Sequence, residues 1–234
     1  MIWFSLIFIF VAFIFPIIDY FWDKRIKQDL KNHNKIKTYS LIMLYQWTVV
    51  ALIFLGFYLK GISFKELGFV STYEDLSNFL GFLAGILVSV FFFLGIYLLI
   101  PFGRKKILQQ YEAIEVLLPN GWKERLLFAG VAVTAGFCEE VIFRGFMFYY
   151  LDQLNWNLSL IAIAIITSIL FGLAHGYQGW KNIIFTGLVG FAMARLYMQY
   201  ESIWIPIILH IVIDLRFAVL PNLKKVLKIE NKAA

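Results

Sequence analysis

The chain has 234 residues, of which 61% are hydrophobic and 15% charged, with a mean hydropathy of +0.78. Soluble domains are usually about a quarter charged, so this composition excludes one and indicates a polytopic membrane protein. The formal net charge is +6, but the basic residues lie between apolar runs rather than along one stripe, which favours membrane topology over nucleic-acid binding. The single cysteine, Cys138, excludes an internal disulfide and a cysteine-rich metal site.

A transmembrane helix needs about 20 apolar residues, and the apolar runs here lack the alternation of barrel strands. Residues Ile2 to Ile18 read as a first span, a retained helix rather than a signal peptide. Asp23 to Lys37 carries Lys24, Arg25, Lys27, Lys31, Lys35 and Lys37 and belongs in the cytoplasm by the positive-inside rule, with His33 expected in solvent. Tyr39 to Leu59 is the second span, and the mixed-charge connection Lys60 to Asp75 suits the outer side. Leu76 to Phe102 is the third, with Gly81, Gly85 and Ser89 forming a small-residue packing stripe.

Arg104 to Arg125 has a basic excess and is expected in the cytoplasm, with Ile107 to Leu118 suited to an amphipathic surface helix. Leu126 to Leu151, Trp156 to His175, Asn182 to Tyr200 and Ser202 to Leu220 are the fourth to seventh spans. Thr186, Gly190 and Ala194 give the sixth a second small face, and Lys224, Lys225, Lys228 and Lys232 place the tail inside. The expected fold is thus all-α: a transmembrane bundle of about seven spans, N-terminus outside and C-terminus cytoplasmic. Its expected organisation is 1–124 for the N-terminal membrane helices and their cytoplasmic connection, 125–220 for a four-helix membrane core, and 221–234 for a basic tail.

Ionisable residues at helical spacing occur in three of the last four spans, whereas the uncharged runs defining the first three contain none. This places chemistry in the C-terminal half. Each charge at mid-bilayer costs roughly 2.5–3.5 kcal/mol, so Glu139, Glu140 and Arg144 in the fourth span need a reason. At about 100° per residue Glu140 and Arg144 share a helix face and make the natural ion pair, leaving Glu139 to face elsewhere beside Ala132, Ala135 and Gly136. Phe171 and His175 are four apart on the fifth span, with Ser168 one turn back, and His210 and Asp214 share a face of the seventh.

Two histidines and a free carboxylate on three helices can converge in one polar cavity. There a carboxylate and a histidine could deprotonate a water, while the second histidine with Asp214 holds a carbonyl or a metal ion. Depth leaves a difficulty, because Glu139 lies about 21 Å from the start of its span whereas His175 closes the fifth at the cytoplasmic end. Tilt, a fourth helix beginning outside the hydrocarbon, or a cavity open to the cytoplasm could reconcile the two.

The motifs EExxxR at Glu139-Glu140-Val-Ile-Phe-Arg144, FxxxH at Phe171-Gly-Leu-Ala-His175 and HxxxD at His210-Ile-Val-Ile-Asp214 resemble those of the CPBP family. These are the CAAX-protease, Abi-type and bacteriocin-processing intramembrane proteases that include the Ras-converting endopeptidases. The resemblance covers about Arg125 to Leu220. It implies an intramembrane endopeptidase in which Glu139 and His175 activate water, His210 and Asp214 stabilise the oxyanion, and Glu140, Arg144 and Phe171 support the site. Members are called metalloproteases, so Zn2+ held by Glu139, His175, His210 and Asp214 stays open beside metal-independent hydrolysis.

CAAX-processing relatives often have asparagine where this chain has Asp214, and an ionised aspartate would repel an oxyanion. Asp214 must then be protonated, orient His210 or bind a metal. In a bacterial cytoplasmic membrane the resemblance points to bacteriocin or signalling-peptide processing or to self-immunity, with a membrane-associated peptide or protein as substrate and no nucleic acid. Two other readings use the same residues: a transporter or proton relay, which lacks the expected repeat and discontinuous helices, and a non-catalytic immunity or partner-binding protein.

Overall fold

The computed structural model describes residues 1–29, 33–70 and 114–219, with scattered positions between 81 and 109. The described residues form helices and turns, with no strand among them. The long helices are α1 (Ile2–Gln28), α2 (Lys35–Leu59), α3 (Trp122–Asp152), α4 (Leu160–Ala174), α5 (Trp180–Tyr200) and α6 (Trp204–Val219). Of these, α1, α2, α3 and α5 are long and apolar enough to cross a membrane.

Local chemistry sets the helix ends. The Asn34 side chain accepts from the Lys37 N–H to start α2, and Ser159 accepts from the Ala162 N–H to start α4. Within α1, Pro16 lacks an N–H and would crowd the carbonyl of Ala12, and the turn Phe10–Ile14 opens to π geometry just before it. A second π turn, Val141–Phe146, directly follows Glu140 in α3, and all six of its residues are buried.

α3 is the central element, packed against α2 and α6, while α4 runs antiparallel along α5. Two glycines bring backbones together. A Cβ at Gly136 would lie 2.7 Å from the Ile211 nitrogen of α6, and one at Gly172 would lie 2.5 Å from the Ile183 carbonyl of α5. The main apolar core joins Phe4 and Ile7 of α1, Ile53 and Phe57 of α2, and Phe146 and Met147 of α3.

The structure redraws several expected segments. Lys24, Arg25 and Lys27 belong to the helical end of α1 rather than to a loop. His33 is half-buried, with Nε2 2.8 Å from Thr38 Oγ1, and its pKa is lowered by burial and then by the charge of Lys35. The connection after α2 is more than a spacer. Its turn Phe64–Leu67 ends at Gly68, φ 83°, whose carbonyl accepts from the Ile203 N–H at the entry to α6.

Most of the third span, most of the amphipathic stretch Ile107 to Leu118, and the tail from Leu220 lie outside the described residues. What is described of that stretch ends in a 3-10 turn, Glu115–Leu117. The stripe glycines Gly81 and Gly85 are exposed, and among the described residues nothing lies within 4 Å of a Cβ built on either.

The depth difficulty is resolved by helix lengths. The 31 residues of α3 would span about 46 Å, more than the roughly 30 Å hydrocarbon core, so α3 outruns the core. The 15 residues of α4 cover about 22 Å. Asp152 and Leu160 stand at one end of the bundle, joined by a short connection. Measured from that end, Glu139 lies 13 positions in along α3, about 20 Å, and His175 at the foot of α4 lies at nearly the same depth.

Candidate active site

Glu140 and Arg144 form the ion pair that helical spacing predicts, with Arg144 Nη1 donating to Glu140 Oε1 at 2.9 Å. Both side chains are buried, at 0% and 1% exposure, where unpaired polar atoms are costly, and Glu140 Oε2 has no hydrogen-bond partner among the described residues. Arg144 Nη2 donates to the Gly190 carbonyl of α5 at 2.9 Å, and its guanidinium lies 4.4 Å from the Phe171 ring centroid. Glu140 Oε1 also meets His210 Nδ1 at 2.7 Å. One carboxylate oxygen therefore ties α3 to α6, and one guanidinium ties α3 to α4 and α5.

Glu139 faces another way. Its Oε1 accepts from the Gln46 side-chain N–H of α2 at 2.8 Å. Its Oε2 is buried without a hydrogen-bond partner among the described residues. That oxygen faces His175 Nε2 at 3.8 Å and His210 Nε2 at 3.9 Å.

Hydrogen-bond chemistry assigns the two imidazoles. His175 Nδ1 lies 2.8 Å from the Phe171 carbonyl, which can only accept, so Nδ1 carries a proton and Nε2 is the nitrogen turned to Glu139. His210 Nδ1 likewise donates to the Glu140 carboxylate. Its Nε2 is then turned toward Glu139 and toward Asp214 Oδ2, 3.6 Å away. Asp214 is thus near His210 but beyond hydrogen-bond length.

Phe171 braces this arrangement. Its ring meets His210 edge-on at 5.9 Å and Phe143 edge-on at 5.1 Å, with its carbonyl fixing His175. The side chains border a cavity of about 360 Å³ that reaches from Phe10 and Val11 past Glu139 to Ile26, Leu117 and Phe217. At its lower wall Tyr177 accepts from Gln178 Nε2 at 2.9 Å, and burial, then the charge of Asp19, pushes its pKa well up, so the phenol stays protonated.

Every residue singled out from the three motifs therefore comes to one place. The small neighbours of Glu139 divide their work: Ala135 lines the cavity, whereas Gly136 admits the α6 backbone. Ser168 instead bonds back to the Ala164 carbonyl of its own helix. Sequence reasoning missed the contribution of the first two helices, Gln46 to Glu139 and Asp19 to the cavity wall. The signal for Gln46 was a polar amide in the middle of an uncharged span, which a search for charges alone passes over.

Chemically, two imidazole Nε2 atoms stand 3.8 and 3.9 Å from a carboxylate oxygen without a hydrogen-bond partner among the described residues, the groups that general acid–base chemistry uses. Imidazoles and carboxylates are also donors zinc takes. Among the described residues, however, no three such side chains are gathered into a formed metal-holding group.

Residues 121–216 match the family model described as type II CAAX prenyl endopeptidase Rce1-like. Comparison with curated proteins and with solved structures finds no match.

Proposed function

We propose that this chain, whose residues 121–216 match the type II CAAX prenyl endopeptidase Rce1-like model, is an integral membrane protein of that kind and an intramembrane endopeptidase working through Glu139. The observation that carries this reading is the buried, unpartnered Glu139 Oε2 facing two imidazole Nε2 atoms. A buried carboxylate oxygen without a partner is costly unless a water or substrate completes it.

In the proposed reaction a water sits between Glu139 Oε2 and His175 Nε2. Glu139 takes its proton while the water oxygen attacks the scissile carbonyl carbon. Carrying a second proton, His210 donates from Nε2 to the oxyanion while Glu140 holds its Nδ1–H. The proton on Glu139 then passes to the amide nitrogen as the C–N bond breaks. If zinc is resident, Glu139, His175, His210 and Asp214 would hold it, and it would supply Lewis acidity.

The basic residues Lys24, Arg25, Lys123 and Lys181 lie at the end of the bundle where α1 finishes and α3 and α5 begin. We assign that end to the cytoplasm, with about seven spans and an outside N-terminus. The division into 1–124, 125–220 and 221–234 remains our functional map. The cavity then approaches the cytoplasmic side, suiting membrane-associated bacteriocin or signalling peptides in a bacterial cytoplasmic membrane, or a self-immunity role.

The test is cleavage of a panel of hydrophobic quenched peptides by purified protein in lipid nanodiscs. Glu139→Gln and His175→Ala are expected to lose at least about 100-fold in kcat. Equal cleavage by all three proteins would sink the proposal. Proteoliposome flux abolished by Glu139→Gln, without any peptidase activity, would favour a transporter, and cellular protection by a Glu139→Ala, His175→Ala double variant would favour a non-catalytic protein. Full activity after exhaustive chelation would argue against zinc, whereas loss with recovery on added zinc would support it.

A further inference from the structure

Gln46 lies outside the family-matched segment, in the middle of α2, yet it is the direct partner of the proposed base. Its side chain is 3% exposed. The amide can present only one face to Glu139, because an amide oxygen 2.8 Å from a carboxylate oxygen would repel it, so the –NH2 end must donate. The other end follows from that choice. Gln46 lines the cavity, and its Oε1 is buried without a hydrogen-bond partner among the described residues.

We propose that Gln46 is a two-sided positioning residue: its N–H holds Glu139 Oε1 so that Oε2 faces the attacking water, and its Oε1 accepts a backbone N–H of the bound peptide beside the scissile bond. This rests on the endopeptidase reading and adds a substrate contact to it. The required ligand chemistry is set by the orphan atom. An acceptor needs a donor, and an extended peptide in the cavity brings backbone N–H groups at regular intervals.

The amide also explains how Glu139 stays oriented. A carboxylate without the Gln46 contact could rotate either oxygen toward the histidines, and the bond removes that freedom. Gln46 couples the two events, since a peptide seated on Oε1 fixes the amide plane that fixes the base. Val49, one turn further along α2, lines the same cavity without a polar group and serves as a control position.

The experiment uses the panel peptide that the wild type cleaves best, together with ester analogues in which each amide flanking the scissile bond is replaced in turn. The full chain is assayed in nanodiscs as wild type, Gln46→Leu, Gln46→Met and Val49→Ala. Gln46→Leu and Gln46→Met are expected to lower kcat about 10- to 100-fold, as loss of a hydrogen bond to a charged group of about 1.5–3 kcal/mol implies, and to raise KM about 5-fold, as loss of a neutral one of about 1 kcal/mol implies. One ester analogue is expected to raise KM about 5-fold for the wild type and less than 2-fold for either Gln46 variant, a difference that a purely structural role would not produce.

Wild-type-like kinetics in both Gln46 variants, or an ester penalty unchanged in them, overturns the assignment while leaving the endopeptidase reading intact. Cleavage that persists in Glu139→Gln overturns both.

Discussion

The adjacent acids Glu139 and Glu140 have opposite environments, and their difference follows from one residue of helix rotation. Each has one buried oxygen without a hydrogen-bond partner among the described residues. Glu140 is enclosed and locked through its other oxygen to Arg144 and His210, whereas Glu139 lines the cavity and faces both histidine Nε2 atoms. Asp214 is the position where the family resemblance and simple electrostatics pull apart. At 3.6 Å from His210 Nε2 it is too far to orient that ring by a direct hydrogen bond. Under the oxyanion account Asp214→Asn should cleave the panel peptide at least as fast as the wild type, because an amide N–H donates where an ionised carboxylate repels. A 100-fold loss in steady-state kcat would assign Asp214 a metal-binding or His210-charging role instead. The pairing of Glu140 with Arg144 was legible from spacing alone, since i and i+4 share a face even with a π turn between them. Gln46 was not, because a neutral amide carries no charge pattern and its partner is 93 residues away.

Among the elements, α3 and α6 must approach closely for His210 to meet both glutamates, and Gly136 permits that approach. A side chain there would press on the Ile211 backbone, which cannot swing aside as a side chain can. Gly136→Val should therefore lower stability by about 1–3 kcal/mol and reduce kcat further than stability explains, by moving His210 away from Glu139. Thermal unfolding in nanodiscs with parallel kinetics checks both; a wild-type Tm and kcat would show that the α3–α6 spacing does not matter. The sequence marked the apolar runs well but misjudged their ends. Basic residues after Ile18 looked like loop, yet α1 continues to Gln28, because Lys and Arg are good helix formers and their long stems can reach the interface. The short α4 was also hidden, since apolar residues before Ser159 extend the hydropathy run without extending the helix.

At the scale of the whole molecule, the motif-bearing helices supply the acids and histidines, while α1 and α2 close the cavity around them. The expectation that chemistry belongs to the C-terminal half describes the motif acids and histidines but not the chamber that holds them, to whose wall α1 adds Asp19. Orientation can be mapped cleanly because the lone Cys138 is buried. In a Cys138→Ser background, Lys60→Cys should react with an impermeant maleimide on intact cells and Lys123→Cys only after permeabilisation; the reverse pattern would invert the proposed topology. The central claim concerns a water activated at Glu139, and its most direct measurement is mass spectrometry of peptide products formed in 18O-enriched water. The account predicts one 18O atom in the newly formed carboxyl terminus with the wild type and no product above background with Glu139→Gln. Labelled product formed at equal rates by both proteins would contradict it.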